Sequence, residues 1–426
     1  MTRPWTPAHW VVLGTGLLAG ALIRALLLPE PGLAGDMNEF AGWIHAIATG
    51  PFGRAYDLDL TFPPVMVYVW GLLAAVEPAF RNVTDASDPG IRVLMKLPPT
   101  LADLALTMGV GFALRARPGW AVAGALAVWL HPAVIDVSAL FGQYESIYVF
   151  FALAAFLLVV ADRPALAVVA LALALMTKPQ ALPLLVPFGA WFLAREGWAG
   201  TIRLAAIGVV SIVVLWLPFL AAGGPAGYLR SIQLHQDELY AVLSLRSWNF
   251  WWLFQELAAG GAFVSDQARV LGPLTMRHLG FLAAGVAEVL VFLAVYRAPS
   301  PRSLAVGLAA SSLVAVMLLT TMHERYAYPA LVFLALLLPE PRTRLLWAAF
   351  GIVFTLNLFA AVPPSSDIAA LLPVQGPLGI AGSLVMLGVT IGVLWALLSA
   401  PSADSEAEVE VSPMAGADPR DAGGGP

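Results

Sequence analysis

Long apolar stretches separated by short polar runs dominate this chain. Most of these stretches come close to the roughly 17–25 apolar residues that a membrane-spanning helix needs. The predicted spans are residues 8–28, 97–114, 120–140, 146–162, 165–177, 180–194, 203–221, 278–297, 302–320, 326–339, 344–362 and 378–399. The pattern predicts an all-α, polytopic membrane protein with about 12 transmembrane helices within residues 1–400. The pair 165–177 and 180–194 could instead be one long segment broken at Lys178-Pro179.

Segment 62–80 decides the predicted topology. It is apolar, but it begins Phe62-Pro63-Pro64 and is interrupted by Gly71 and Pro78. If it does not cross, the arginines of the short loops all fall on the cytoplasmic side, as membrane proteins prefer. If it crosses, they fall outside and Asp36 is separated from the later polar motifs, so we favour the first topology. These arginines are Arg115, Arg117, Arg163, Arg195, Arg203, Arg297, Arg302, Arg342 and Arg344.

The favoured topology predicts helices that lie along the membrane surface in two outer segments. In residues 37–49, the positions Phe40, Trp43, Ile44 and Ile47 share one helical face, which is typical of an interfacial helix. Residues 226–257 are rich in tryptophan, tyrosine and phenylalanine, which favour the membrane interface.

Composition narrows the class of protein further. The chain is 60% hydrophobic and 12% charged, whereas a soluble domain carries about 25% charged residues. It has no cysteine, which excludes disulfides and thiolate metal sites, and no basic block suggests nucleic acid. Residues 8–28 are expected to be an uncleaved signal-anchor. Residues 401–426 have the composition of a disordered tail, which the topology places in the cytoplasm.

Asp36 is the most informative polar residue, because it follows the first apolar span at the start of the interfacial helix. It could cap that helix, or it could act as a base at the membrane surface. Glu39 lies one turn further on. Asp57 and Asp59, in the same outer segment, fit solvated carboxylates better.

Four more polar motifs fall on the same predicted side. Gln143 and Glu145 lie between two spans, where Glu145 suits a role in orienting a substrate. Lys178 could extend its ammonium group to the headgroups or pair with a phosphate. His323 and Arg325 suit a phosphate, although Arg325 could simply pair with Glu324.

The last motif is aromatic. Trp248 belongs to a run that fits an interfacial belt or a surface that stacks on a sugar or a prenyl chain. No metalloprotease or Walker A motif occurs in the chain, and its DxD tripeptide, Asp57-Leu58-Asp59, is not interpreted as nucleotide-binding. A divalent metal is therefore optional, and no cofactor is expected.

Taken in order, these residues resemble the C-type (GT-C) glycosyltransferase superfamily, over roughly residues 8–362. The matching positions are Asp36 with Trp43 and Gly50, Tyr56, Phe62-Pro63-Pro64, Lys96-Leu97-Pro98 with Ala102-Asp103, His131-Pro132, Gly142-Gln143-Tyr144-Glu145, Thr177-Lys178-Pro179-Gln180 and His323-Glu324-Arg325-Tyr326. The similarity is greatest to bacterial mannosyltransferase-like members.

The resemblance implies a membrane enzyme that moves a hexose, with mannose expected, from a polyprenyl-phosphate donor to an acceptor hydroxyl with inversion. Asp36 would then be the general base, and Arg325, His323 and Lys178 would meet the donor phosphate. Glu145, Gln143, Glu39 and Trp248 would orient the substrates. The acceptor would be a glycolipid, polysaccharide or protein at the outer face of the plasma (inner) membrane. The alternative is a polytopic transporter or lipid flippase, which would use membrane-depth charges as a pathway.

Overall fold

The computed structural model describes residues 4–399. The predicted disordered tail, residues 401–426, lies outside these residues. The first part of the chain forms the helices α1 (Pro7–Leu27), α2 (Ala34–Thr49), α3 (Pro64–Val76), α4 (Pro89–Ala113), α5 (Pro118–Trp129) and α6 (Pro132–Ile135). Five of these six helices begin with proline. Proline has no backbone N–H group, but in the first turn of a helix that group would have no partner within the helix. Short 3₁₀ turns cover Phe52–Asp57 and Pro78–Arg81, and a π-helical turn covers Asp136–Phe141.

The middle of the chain alternates long helices with irregular segments. It contains α7 (Glu145–Val160), α8 (Pro164–Leu175), α9 (Leu185–Leu220), α10 (Gly224–Leu234), the strand β1 (Ser244–Leu245) and α11 (Phe250–Ala259). A 3₁₀ turn, Pro179–Leu184, leads into α9, and a second π-helical turn, His235–Leu239, follows α10.

The last part completes the bundle. It contains β2 (Arg269–Leu271), β3 (Leu274–Thr275), α12 (Met276–Arg297), α13 (Pro301–Leu318), β4 (Met322–His323), a 3₁₀ turn (Glu324–Ala327), α14 (Tyr328–Ala335), α15 (Pro341–Ala361), α16 (Ser366–Leu371) and α17 (Pro377–Leu398). β2 and β3 form a small antiparallel hairpin. β1 pairs in parallel with β4, which joins two segments that are far apart in the sequence.

The described chain is an all-helical protein of membrane type. Seven of its helices are long and apolar enough to cross a membrane, or eight if the bent pair Pro118–Trp129 and Pro132–Phe141 is one span. This count falls short of the predicted 12, because several predicted spans form helices shorter than a bilayer crossing. Lys178 is extended between the end of α8 and the 3₁₀ turn that begins at Pro179, so the chain does break at Lys178-Pro179. That 165–177 and 180–194 form one broken segment stays an alternative prediction. A second break lies inside α9 at Gly197, which has φ 65°, between the predicted spans 180–194 and 203–221.

Two regions of buried apolar side chains hold the fold together. α13 lies in the centre of the larger one, since almost every residue from Ser303 to Met317 is buried, as expected for a helix surrounded by others. The smaller region forms around α2, whose predicted apolar face is confirmed. Phe40 and Trp43 of that face pack against Phe62 and Trp70, which also pack against each other. The ring centres of these pairs lie 5.3–6.0 Å apart.

Segment 62–80 begins and ends against the same helix. Phe62, just before α3, packs on Phe40 of α2. After α3, the carbonyl of Phe80 lies 3.0 Å from Nδ1 of His45, also on α2. α3 itself has 13 residues, about 20 Å of helix, against a hydrocarbon core of about 30 Å. This return to α2 supports the prediction that the segment does not cross.

A buried polar network, here called the Asp103 hub, joins four helices at membrane depth. Asp103 of α4 accepts hydrogen bonds from Arg24 of α1 at 3.0 and 3.3 Å, from Ser138 at 2.5 Å and from Tyr328 of α14 at 3.1 Å. Ser146 of α7 also donates to it. Arg24 donates further bonds to two backbone carbonyls. The hub therefore fixes the starts of α7 and α14, which adjoin the predicted motifs.

Candidate active site

A cavity of about 860 Å³ opens where these motifs meet. Its wall is formed by the start of α2, Gln143, the turn after α8, the end of α13, residues 321–326 and parts of segment 232–246. The polar part holds Asp36, Lys178 and Arg325, and the apolar part includes Leu182 and Val316. One cavity thus combines a charged end with an apolar wall.

Asp36 lies in the first turn of α2 and faces this cavity. The helix begins after Leu33 and has no side-chain cap, so the alternative that Asp36 caps the helix is wrong. Its Oδ2 accepts a 2.6 Å hydrogen bond from Nε2 of Gln143 and lies 3.6 Å from Nη2 of Arg325. The side chain is 28% exposed. Asp36 is therefore oriented by neighbours and remains accessible from the cavity.

The Asp36–Arg325 distance also settles which motifs share a side. Two side chains 3.6 Å apart cannot lie on opposite faces of a hydrocarbon core about 30 Å thick. The prediction that Asp36 and the later motifs share one side is therefore confirmed.

Gly142 explains how Gln143 reaches Asp36. It ends the π-helical turn with φ 84°, a conformation that glycine adopts without strain. A Cβ atom at this position would lie 2.4 Å from Sδ of Met37 on α2. Only glycine lets the loop pass this close to α2, so the contact between Gln143 and Asp36 depends on it.

Glu145 and Lys178 form a buried ion pair behind the cavity wall. Oε1 of Glu145 accepts a 2.5 Å bond from Nζ of Lys178, and the Glu145 side chain is fully buried. Since Lys178 is only 4% exposed, the alternative that it extends to the headgroups is wrong. Glu145 does not line the cavity; it touches the residues that do.

Arg325 connects the acidic residues of the site. Its guanidinium lies 3.0 Å from Glu324, 3.3 Å from Glu145 and 3.6 Å from Asp36. The alternative that Arg325 pairs with Glu324 is thus confirmed, but the pair is part of a larger arrangement. We call Asp36, Glu145, Lys178, Glu324 and Arg325 the charged cluster.

His323 lies beside the charged cluster on β4. Its burial and the positive charge of Arg325 lower the pKa of His323 below its ordinary value. The lowered pKa favours the neutral imidazole, which offers a hydrogen bond without a positive charge. This changes the sequence-based expectation, in which His323 was one of the charges that meet a phosphate.

Glu39 lines the cavity one turn after Asp36. Partial burial and the neighbouring Asp36 raise the pKa of Glu39 above its usual value. Within residues 4–399 no cation lies within salt-bridge distance of it. The position suits contact with a substrate, as the sequence predicted.

Trp248 does not line the cavity, which corrects its expected role in orienting a substrate. Its indole is fully buried and donates to the carbonyl of Val374 at 3.0 Å. A Cβ atom at Gly382 of α17 would lie 2.1 Å from the Trp248 ring. Trp248 is therefore a wedge between segments rather than a surface for a sugar or a prenyl chain.

Three cavity residues were missed by sequence reasoning: His235, Tyr240 and Arg246. His235 begins the second π-helical turn, a feature that is frequent at functional sites. Its ring centre lies 5.8 Å from that of Tyr240, which in turn lies 5.6 Å from His323. The polar run that starts at His235 interrupts an otherwise aromatic segment. This interruption could have indicated that His235 belongs to the site.

The charged cluster keeps polar atoms without partners. Among residues 4–399, Oε2 of Glu145, the hydroxyl of Tyr148 one turn later and Oε1 of Gln180 are buried without a hydrogen bond. Nε of Arg325 also lacks hydrogen-bond geometry, although it lies 3.3 Å from Glu145. Buried polar groups normally find partners, so this region is suited to contacts that the chain itself does not supply.

In the described part of the chain, no group of three or more histidine, aspartate or glutamate side chains is arranged to hold a metal ion. That a metal is optional stays a prediction. No protein-family model and no curated protein matches the chain.

Proposed function

We propose that this protein is a membrane glycosyltransferase that moves a hexose, with mannose expected, from a polyprenyl-phosphate donor to an acceptor hydroxyl with inversion. The observation that carries the proposal is the contact of Asp36 with Arg325 at one cavity. A carboxylate that can take a proton and cations that can meet a leaving phosphate lie side by side, next to an apolar wall that suits a lipid chain.

The proposed reaction uses these groups in one step. The acceptor oxygen attacks the anomeric carbon while the bond from that carbon to the phosphate oxygen breaks. Asp36 takes the proton of the acceptor hydroxyl, and the donor leaves as a polyprenyl phosphomonoester. Gln143 holds Asp36 in place. The cations are in position before the reaction starts. They stabilise the negative charge that develops on the leaving phosphate oxygen.

Arg325, Lys178 and His323 all line the cavity and remain proposed contacts of the phosphate. Arg325 and Lys178 are paired with carboxylates, and the lowered pKa of His323 favours its neutral form. Their main contribution is therefore directional hydrogen bonds. Glu145 would act by holding Lys178 and Arg325, while Glu39 would contact the acceptor.

The predicted count of about 12 crossings is part of this proposal. Seven helices are long and apolar enough to cross, and the bent pair, α7, α8, α14 and the second half of α9 would add five more. With α3 excluded, this proposed count would leave Asp36, Gln143, Lys178 and Arg325 on one face, as their contacts require. The loop arginines would then lie on the other face, and the positive-inside preference supports a cavity at the outer face of the plasma membrane.

Orientation can be measured directly, since the chain has no cysteine. Asp57, Ala116 and Arg342 are all exposed. Each would be replaced singly by cysteine, and intact cells would be treated with an impermeant maleimide. We expect labelling of residue 57 alone. Labelling of 116 or 342, or protection of 57, would contradict the proposed orientation.

The function itself is tested by mass spectrometry of glycolipids and surface polysaccharides from a deletion strain. We expect one hexose to be missing from an envelope glycan, with wild-type chain restoring it and Asp36→Asn failing to do so. The matched control is Asp57→Asn, which replaces an exposed carboxylate outside the cavity. An unchanged glycan profile in the deletion strain would reject the proposal.

The transporter or flippase alternative also remains untested. It predicts charges at membrane depth along a pathway. Arg24 and Asp103 are bonded to each other and do not line the cavity, which favours the enzyme. Transfer of hexose by purified protein in detergent, where no compartments exist, would separate the two.

A further inference from the structure

Arg246 is a cation at the cavity wall that has no acidic partner. Its Nη1 donates to the carbonyl of Ala361, the last residue of α15, at 2.9 Å. Within residues 4–399 no carboxylate lies within 4.0 Å of its guanidinium. Lys178 and Arg325, the other lysine and arginine of this wall, are both paired. Arg246 is therefore the cation of this wall whose charge is not already balanced.

The charged cluster alone is a poor site for an anion. When ionised, its three carboxylates, Asp36, Glu145 and Glu324, outnumber its two cations, Lys178 and Arg325. This leaves the cluster with a net charge of −1. A phosphate that approaches it meets repulsion unless another cation contributes. Arg246 lines the same cavity and supplies that charge.

The backbone at Arg246 is held by a buried amide. Asn357 of α15 donates from Nδ2 to the carbonyl of Arg246 at 2.8 Å, and its Oδ1 accepts from the backbone N–H of Trp248 at 3.0 Å. Asn357 is 1% exposed. The Trp248 wedge fixes the same stretch from the other side. Arg246 is therefore placed by buried contacts even though its side chain is exposed to the cavity.

The conformation of Arg246 is strained. Its φ is 65°, the left-handed region that residues with a Cβ atom seldom adopt. Thr321, next to β4 on the same cavity wall, has φ 62°. Residues held in such conformations cluster at binding and catalytic sites. Here the pairing of β1 with β4 and the Asn357 clamp hold the strained backbone that presents the guanidinium.

We propose that Arg246 selects a phosphomonoester carried on a prenyl chain over the corresponding uncharged prenyl alcohol. This rests on the proposed function, because it names the residue that recognises the donor's phosphate and retains it after transfer. The guanidinium offers a planar pair of donors to two phosphate oxygens. The apolar wall at Leu182 and Val316 takes the chain.

The test measures binding and not transfer. The full chain in nanodiscs of zwitterionic lipid is titrated by calorimetry with farnesyl phosphate, farnesol and inorganic phosphate. Wild type should bind farnesyl phosphate more tightly than either of the others. Arg246→Gln should weaken binding of farnesyl phosphate by about 10-fold or more and leave farnesol unchanged. Arg269→Gln removes the same charge from an exposed arginine on β2 that does not line the cavity, and it should have no effect.

A second variant guards against loss of folding. Arg246→Gly suits the left-handed backbone, so it removes the guanidinium without adding strain and should melt no lower than Arg246→Gln. Unchanged affinity for farnesyl phosphate in both variants would overturn the proposal. Equal affinity of wild type for inorganic phosphate and farnesyl phosphate would overturn the choice of a lipid ligand.

The outcomes separate this inference from the proposed function. If binding depends on Arg246 but purified protein transfers no hexose, the phosphate site stands and the glycosyltransferase proposal fails. If hexose is transferred while affinity is independent of Arg246, the glycosyltransferase proposal stands and this inference fails.

Discussion

The Asp103 hub and the charged cluster both bury acidic and basic side chains among membrane helices, but only one is complete. Both oxygens of Asp103 accept hydrogen bonds, and every nitrogen of the Arg24 guanidinium donates one. In the charged cluster, Glu145 keeps an oxygen without a partner and Asp36 is partly exposed.

The difference teaches how structural and functional charges can be told apart. A charge at membrane depth is costly unless it is bonded, and the hub satisfies its groups entirely within the chain. The charged cluster leaves groups unsatisfied beside a cavity, which suits contacts with a ligand. The predictions below test this contrast.

The largest expected effect is on the hub. Asp103→Leu would leave Arg24 buried without its carboxylate, and loss of one partner from a buried pair costs about 3–5 kcal/mol. We expect this variant to lose a corresponding part of its free energy of unfolding, or to fail to accumulate as a single species in detergent. Adding Arg24→Leu should recover part of the loss. A stable Asp103→Leu variant with altered transfer would place the hub in the site instead.

The next effect concerns Arg325. Arg325→Lys keeps the charge but loses the planar contact with Glu324 and Glu145 and the proposed contact with a phosphate. Each charge-assisted hydrogen bond lost should cost roughly 1.5–3 kcal/mol, which corresponds to about 10–150-fold in the donor concentration required. Donor titration of purified variants measures this.

Thermal melting of the same samples separates binding from structure at Arg325. Glu324→Gln is the comparison, because it breaks the same ion pair without removing the guanidinium. A lower melting temperature with an unchanged donor requirement in Arg325→Lys would show that Arg325 acts only through Glu324.

The smallest effect is a change of stability with pH at Glu39. The pKa of Glu39 is raised in the folded protein by burial and by Asp36, so folding favours its protonated form. Stability from this group is present below the unfolded pKa of 4.5 and is lost as pH rises through the folded pKa. Glu39→Gln should therefore raise the melting temperature at neutral pH, with a gain that shrinks towards about pH 4. A gain that is the same at both pH values would contradict the raised pKa.

Much of the fold follows from local pattern. The apolar face of α2 could be read from Phe40, Trp43 and Ile44, because helical periodicity alone determines which side chains share a face. The number of crossings could not, because predicted spans such as 326–339 contain helices shorter than a bilayer crossing, and α14 has 8 residues. The break within α9 does fall between the predicted spans 180–194 and 203–221. Gly197 carries that break in its backbone conformation.

The site could be predicted only in part, for a similar reason. Asp36, Lys178 and Arg325 stand out as charges in apolar surroundings, and a consistent topology brings them to one side. Arg246 does not stand out, because its role depends on the pairing of β1 with β4 and on the amide of Asn357. Arg24 lies inside a predicted span, and its partner Asp103 is known only from the packing of α1 on its neighbours.

The most direct test of the proposed reaction is hexose transfer by purified Asp36→Asn in a single turnover, with wild type and Asp57→Asn beside it. A polyprenyl-phosphate mannose is the donor, and farnesyl phosphate binding is measured on the same samples. A lost general base should lower the rate by ~10²–10⁴-fold, while binding stays unchanged and Asp57→Asn keeps the wild-type rate. Near wild-type transfer by Asp36→Asn would contradict the role of Asp36 as the base.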